Sequence, residues 1–331
     1  MQRKIFITGG SGFIGTNAVD YFSGKNFNVA SFDKKFPRNK SHAVCWIEGD
    51  VTDINSYYKA VQQFKPDYLL HLAARTDLLE TKDLHNGYKA NIIGVENTIK
   101  IAESVSSIGR VLFASSRMVC KIDYIPKNFD DYCPPNLYGQ SKVLGEQLIK
   151  QSNLTKEWLI FRPTSIWGPW FEIPYMTFFK SLQKNVYFHP GTYNPCKSFG
   201  YVKNSIFQIH QLLLADKDGI NNKTFYLCDY PPLNLKTWAE LIQREIKAKK
   251  IHTYPFWLLK IAALTGDVFK NLGWSNVPIT SFRLNNLITN MVYDTRELQS
   301  LCGQLPYNLE DGVKETVDWM KENSKREQQI I

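Results

Sequence analysis

Cysteine is scarce and unpaired in this chain. Six residues, Cys45, Cys120, Cys133, Cys196, Cys228 and Cys302, include no C-x-x-C pair and no metal-ligand spacing. That excludes a disulfide-stapled scaffold and a zinc module, and predicts reduced, mostly buried thiols in a cytoplasmic protein with no metal site. Long apolar runs are also missing. The most apolar late stretch, residues 255–268, is interrupted by Lys260 and Asp267. It falls short of the ~20 apolar residues that cross a bilayer, so no membrane span is expected, although it can form an amphipathic or core helix. No low-complexity tract is present, and no basic and aromatic repeat marks a nucleic-acid partner. Met1-Gln2-Arg3-Lys4 leads straight into a strand pattern, so no signal peptide is expected ahead of the fold.

What is present is the composition of a globular protein with a large core. The 331 residues leave room for one large domain or two ordinary ones, and 44% hydrophobic against 21% charged supports a packed interior. A 14% aromatic share suits aromatic pockets without naming a ligand. The net charge of +9 is spread along the chain, which favours small anionic ligands over nucleic acid or a membrane surface.

Along the chain, Lys4-Ile5-Phe6-Ile7-Thr8 reads as a buried strand and runs into Gly9-Gly10-Ser11-Gly12-Phe13-Ile14-Gly15, after which a helical pattern begins. Gly10-x-Gly12-x-x-Gly15 between a strand and a helix is the setting in which glycines let backbone approach a pyrophosphate and a helix N-terminus offers it free N–H groups. The next strand ends at Asp33, near the spacing of about 20 residues expected for the acid that accepts both ribose hydroxyls. That favours NAD; Lys34, Lys35 and Arg38 keep NADP open. Asp50-Val51 ends a third strand, where Asp50 either meets an adenine amino group or caps the next helix, with Asp53 also available as a cap. The continuous apolar run Tyr68-Leu69-Leu70-His71-Leu72-Ala73-Ala74 suits a parallel strand buried on both faces. His71 within it reads as a hydrogen-bonded core residue, while Ala73 and Ala74 are small enough to let a cofactor close. Arg110 to Ala114 forms a further strand ending in Ser115 and Ser116. Strands alternating with helices argue for right-handed βαβ units in a doubly wound parallel sheet, with ligands beyond the strands' carboxyl ends.

Tyr138 and Lys142 stand four apart in a helical run and project from one face. By itself the spacing also suits an exposed tyrosine beside a solvated lysine. With Ser116 at a strand tip upstream, the three converge on one C–OH or C=O group. Serine hydrogen-bonds the oxygen, tyrosine exchanges its proton, and lysine lowers the tyrosine pKa and holds the cofactor ribose while hydride passes to a nicotinamide.

These motifs in this order resemble the extended short-chain dehydrogenase/reductase family, and more narrowly its NAD-dependent nucleotide-sugar epimerase/dehydratase branch. Phe161-Arg162-Pro163-Thr164-Ser165-Ile166-Trp167-Gly168-Pro169 is similar to the family's R-P-x-x-x-Y-G-P, with Trp167 in place of tyrosine. Tyr293-Asp294 through Gly312 and Trp319 resembles the family's closing strand and helix. The resemblance implies an α/β, Rossmann-like doubly wound sheet with a smaller interleaved C-terminal substrate-binding lobe. The expected boundaries are residues 1–168 with about 200–230 for the dinucleotide domain, and 169–199 with 231–331 for the lobe.

The same resemblance implies catalytic Ser116, Tyr138 and Lys142. It implies NAD contacts from Gly9, Gly12, Phe13, Ile14, Asp33, Asp50, Val51, Leu72, Ala73, Ala74, Ser115, Tyr138, Lys142 and Pro163. For a nucleotide-sugar substrate it implies Thr76, Ser116, Lys197 and Arg283, and for assembly a homodimer through the Tyr138 helix and the one near Asn91. Several positions depart from the pattern. Arg117-Met118 replaces the Asp-Glu that dehydratases place after the serine, which argues against dehydration. Lys197 replaces a diphosphate-clasping arginine, as a point charge without the bidentate fork, and Asn204 replaces an aspartate. Arg283 reads either as the second diphosphate arginine or as a helix-surface residue. An epimerase or 4-ketoreductase is therefore expected, with a hydroxysteroid-type dehydrogenase as alternative; a non-catalytic dinucleotide sensor fits poorly because Tyr138 and Lys142 are both present.

Overall fold

A computed structural model describes residues 2–77, 81, 83–274, 277 and 279–328. The described chain divides into two compact units. One comprises Met1–Ile166, Val202–Cys228 and Asp294–Pro306; the other comprises Trp167–Tyr201, Asp229–Tyr293 and Tyr307–Ile331. The stretch Asp294–Pro306, which the sequence reading places in the lobe, groups with the first unit. Its helix Arg296–Cys302 belongs beside the helix Val202–Leu214, where Cys302 Sγ reaches the Gln208 carbonyl at 3.9 Å, and Glu297 pairs with Lys223 at 2.7 Å.

The first unit is built on a seven-stranded parallel sheet. Its strands are β1 (Lys4–Thr8), β2 (Asn28–Asp33), β3 (Trp46–Glu48), β4 (Tyr68–His71), β5 (Arg110–Ala114), β6 (Glu157–Pro163) and an edge strand, Lys223–Leu227. From that edge the order runs through β6, β5, β4, β1 and β2 to β3, all parallel. The winding reverses between β1 and β4, the switch point at which ligands sit in open sheets of this kind. Leu69 and Leu70 on β4, and Val111 and Leu112 on β5, are fully buried. Burying each such side chain is worth about 1.5–3 kcal/mol, which is why these strands carry no polar alternation.

The connections are α1 (Phe13–Gly24), α2 (Ile54–Phe64), the single turn α3 (Leu84–Gly87), α4 (Lys89–Ser104) and α5 (Leu137–Gln151). Local chemistry sets where they start. Asp53 caps α2 by accepting the N–H of Asn55 at 3.1 Å, and Asn136 caps α5 by accepting that of Gly139 at 2.9 Å. Asp50 is therefore not the cap of α2. It folds into a turn with Thr52, accepting that residue's N–H and hydroxyl at 2.9 Å each.

In the second unit the aromatic residues form a core. Trp167 packs against Tyr201 and Trp238 with ring centroids 5.1 and 5.3 Å apart, and Phe178 stacks on Trp238 at 4.7 Å. Trp167 is fully buried and Phe171 nearly so. Trp167 and Phe171 are thus interior packing.

Candidate active site

The first strand delivers the glycine turn to the end of β4. Gly9 adopts φ +73°, and a Cβ on it would lie 2.7 Å from the Ala73 nitrogen. Only glycine permits that conformation and that approach together. Thr8 ties the two segments: its Oγ1 accepts the Ala73 N–H at 3.2 Å and pairs with His71 Nδ1 at 2.9 Å. His71 is fully enclosed; burial, with the nearby Lys142 charge, takes its pKa down to about 3, so it is a neutral structural residue. Gly12 is the N-cap of α1 and has no side chain to satisfy the first-turn N–H groups of Phe13 and Ile14, which leaves them to serve an anion.

At the tip of β2, Asp33 accepts the Ser11 N–H at 3.0 Å and the Lys35 N–H at 2.9 Å, one on each carboxylate oxygen. Each oxygen keeps a further lone pair for a ribose hydroxyl. Arg38 is drawn to the glycine turn itself, donating from Nε to the Ser11 carbonyl at 3.0 Å. Lys34 points to Asp50 at 3.5 Å. Burial alone would raise the Asp50 pKa, but the Thr52 hydrogen bonds and Lys34 outweigh it and hold the carboxyl below its usual range. These features fit a dinucleotide: a glycine cradle that a Cβ would fill, an unsatisfied helix N-terminus and a paired carboxylate.

Ser116, Tyr138 and Lys142 gather at the carboxyl end of β5. Ser116 caps a single turn, Arg117–Val119, by accepting the Met118 N–H at 3.1 Å, and its hydroxyl stands near enough to the Tyr138 phenol to favour the phenolate. Gly139 makes this meeting possible. A Cβ there would lie 2.3 Å from the Met118 carbonyl, so any larger residue would push the serine turn off α5. Lys142, one turn further on, is buried and donates to the Ala114 carbonyl at 2.9 Å. The sequence expectation of a depressed tyrosine pKa is not met in this environment. Burial pushes the Tyr138 phenol up, outweighing the Ser116 hydroxyl and the Arg117 charge that favour the phenolate. Lys142 moves the other way, taken down to about 8 by burial even though the Glu146 charge opposes the shift.

Residues 5–226 match the NAD dependent epimerase/dehydratase family. The chain belongs to this family. It is an NAD-dependent enzyme with the family's Rossmann-like sheet. Over 99% of its length it is 23% identical to N-acetyl-alpha-D-glucosaminyl-diphospho-ditrans,octacis-undecaprenol 4-epimerase of Escherichia coli O157:H7, covering 98% of that protein. It is 25% identical to the decarboxylating sterol-4-alpha-carboxylate 3-dehydrogenase of Candida albicans, with 97% and 98% of the two chains covered. Its fold is similar to that of UDP-glucose 4-epimerase from Thermus thermophilus in complex with NAD, at a TM-score of 0.71 and 15% identity over 96% of this chain and 99% of that one.

In this epimerase/dehydratase chain several residues that the sequence reading passed over support the named ones. Glu146, one turn beyond Lys142 on α5, is buried and accepts Arg162 Nε at 2.8 Å and Nη2 at 2.7 Å, the Tyr132 hydroxyl at 3.0 Å and the Ser115 hydroxyl at 2.5 Å. Ser115, expected to face the cofactor, thus gives its hydroxyl to Glu146. Arg162 is enclosed by the rings of Phe129, Tyr132 and Tyr226 at 5.3–5.5 Å; burial opposes its charge, but Glu146 raises its pKa above the ordinary arginine value. Asn91 on α4 donates to Ser141 Oγ at 2.9 Å and exchanges hydrogen bonds with the Arg75 backbone, linking the loop after β4 to α5. Glu146 had a readable signal, since it continues the four-residue spacing of Tyr138 and Lys142; Asn91 had none.

The expected substrate contacts are less uniform. Thr76 is exposed beside Arg75, whose guanidinium holds Asp77 at 2.9 and 2.8 Å. Val51, Leu72, Ala74 and Pro163 stand at the carboxyl ends of β3, β4 and β6 or just beyond them. Lys197 and Arg283 belong to the other unit. The Lys197 ammonium is buried and donates to the Asn286 and Thr289 carbonyls at 2.8 and 2.5 Å, closing the end of the helix Ser281–Ile288. Arg283 is exposed and donates from Nη1 to the Val277 carbonyl at 2.6 Å.

Proposed function

We propose that this enzyme transfers hydride at a C–OH/C=O carbon, C4, of a nucleotide-diphosphate sugar, either oxidising and re-reducing it as a 4-epimerase or reducing it as a 4-ketoreductase. The observation that carries the reading is the approach of Ser116 to the Tyr138 phenol at the end of β5, with Lys142 on the next turn of the same helix, buried and held on the Ala114 carbonyl. NAD, when bound, supplies the hydride acceptor. Gly12, Phe13, Ile14 and Asp33 are the residues that would hold it, and Lys142 would serve the ribose. Ser116 donates to or accepts from the substrate oxygen; Tyr138 as the phenolate takes the hydroxyl proton as the alcohol becomes a ketone, and as the neutral phenol it gives the proton back on reduction. Burial of the phenol favours its neutral form, which suits it as the acid in the reductive half.

Asp33 tilts the reading toward NAD and hence toward the epimerase, while Arg38 beside the glycine turn keeps the reductase in view. Arg117, in the position where dehydratases carry an acid, supports the absence of a dehydration step. We read the active form as a homodimer through α4 and α5, supported by the half-buried Ile93 on the first and Val143 and Leu144 on the second; the mass in solution tests this.

A second reading, a hydroxysteroid-type dehydrogenase, is supported by the similarity to the Candida albicans sterol dehydrogenase over nearly the whole chain. The test is to denature the purified protein and identify the released nucleotide, then assay with 4-keto nucleotide sugars and with a 3-hydroxysteroid. Retained NAD supports the epimerase. Oxidation of added NADH or NADPH by a keto-sugar supports the reductase, and turnover of the steroid alone supports the second reading. Tyr138→Phe is expected to lower kcat by roughly 100-fold or more while NAD binding persists; full activity in that variant would remove the proposed chemistry.

A further inference from the structure

The late apolar stretch forms a helix, Phe256–Asn271, and only Leu259, Ala263 and Gly266 on it are buried. These lie on one stripe, packed with Leu284 and half-buried Phe188 and Ile279. The opposite stripe is also apolar. At 100° per residue, Trp257, Leu258, Ile261, Ala262, Leu264, Thr265, Val268 and Phe269 fill an arc of about 160° that holds no charge. Trp257 is 62% exposed, Leu264 54% and Val268 58%; the surface continues through Phe269 into Trp274 at 63%, and Phe282 on the neighbouring helix is 72% exposed. A helix apolar all round is ordinarily enclosed, and an exposed apolar area of this extent marks an interaction site.

Charge names the occupant. Between residues 247 and 270 stand five exposed lysines, Lys247, Lys249, Lys250, Lys260 and Lys270, against one acid, Asp267. Asp267 is turned to the N–H of Ser281 at 3.1 Å. A cavity of about 240 Å³ at the end of this helix and the start of Ser281–Ile288 is lined by Lys270, Val277, Thr280, Phe282 and Arg283, two cations and a hydroxyl. Tryptophans at both ends, aliphatic residues between them and lysines at the rim are the pattern of a helix lying in a membrane interface, with its apolar side about 5–10 Å into the headgroup boundary. A second copy fits less well, because a two-fold contact sets the same lysine rim against itself.

We propose that this helix, with Trp274 and Phe282, docks the enzyme on the surface of an anionic phospholipid bilayer. It lies on the bilayer and does not span it; among the described residues no helix is long and apolar enough to cross. The inference stands on its own, whichever sugar or sterol the active site takes. The experiment is flotation of the full chain with phosphatidylcholine vesicles, with and without phosphatidylglycerol. Binding is expected with phosphatidylglycerol, weakened by added salt, and weakened roughly tenfold or more by Lys249→Glu with Lys250→Glu. Ile261→Glu with Val268→Glu, both outward-facing, is expected to abolish it with melting temperature and NAD binding kept. Quenching of tryptophan fluorescence by brominated phosphatidylglycerol in the unaltered chain reads insertion without any variant. Failure to float with anionic vesicles, or equal binding to phosphatidylcholine alone, overturns the proposal. So does an Ile261→Glu, Val268→Glu variant that turns a dimer into a monomer and still binds vesicles as before, which would give the face to a second copy.

Discussion

Burial takes the Lys142 ammonium down to about 8, whereas an unfolded lysine titrates near ~10.4. Between these values the unfolded chain holds a proton that the folded chain has released, so stability rises as pH climbs through that window. Below it both states are protonated, and the folded one carries the full cost of the buried cation, on the order of 3 kcal/mol. Lys142→Met removes this dependence along with turnover. Thermal melts should therefore show the variant losing ground to the natural chain as pH rises from ~7 to ~10.4; a difference independent of pH would mean that the lysine is solvated. That Ser116, Tyr138 and Lys142 would gather was legible in the sequence, because strand tips and four-residue helical spacing set it. Their protonation was not, because it depends on burial and on which carbonyl an ammonium meets. Lys197 shows the same limit: a lysine in a phosphate-reading motif is also a good closure for a helix end, and only the packing of Ser281–Ile288 shows that it serves there.

At the scale of the element, α5 carries the proposed acid and its own foundation. Tyr138, Lys142 and Glu146 succeed one another by a turn, and the third fastens the helix to Arg162 on β6. Removing one member of a buried ion pair strands the other charge, at about 3–5 kcal/mol, while replacing both with apolar residues costs far less. Glu146→Leu and Arg162→Met are each expected to lower the unfolding free energy by several kcal/mol, and the double variant by clearly less than their sum. Additive losses in denaturant melts would show that the two side chains act separately. The parallel strands were legible from continuous apolar runs, and the cap of α2 from Asp53 once Asp50 was set aside. The apolar helix Phe256–Asn271 was visible as a stretch, but its unburied side was not, since periodicity cannot tell a face covered by protein from one left bare.

For the whole molecule, the family and its sheet were readable from ordered motifs. The passage of the chain between its two units was readable only in part, because helix Arg296–Cys302 looks like lobe sequence and packs with the sheet unit. A fragment ending at residue 228 is expected to expose the side of Val202–Leu214 that this helix covers, and to bind a hydrophobic dye or aggregate where the full chain does not; a monomeric, cooperatively melting fragment would show the late helix to be dispensable. The same crossing has a bearing on biosynthesis. The sheet unit draws its last piece from Asp294–Pro306, so the dinucleotide half cannot finish folding on the ribosome while the intervening segments emerge. Its incomplete surface must wait through the synthesis of the other unit, a period in which chaperone binding competes with misassembly.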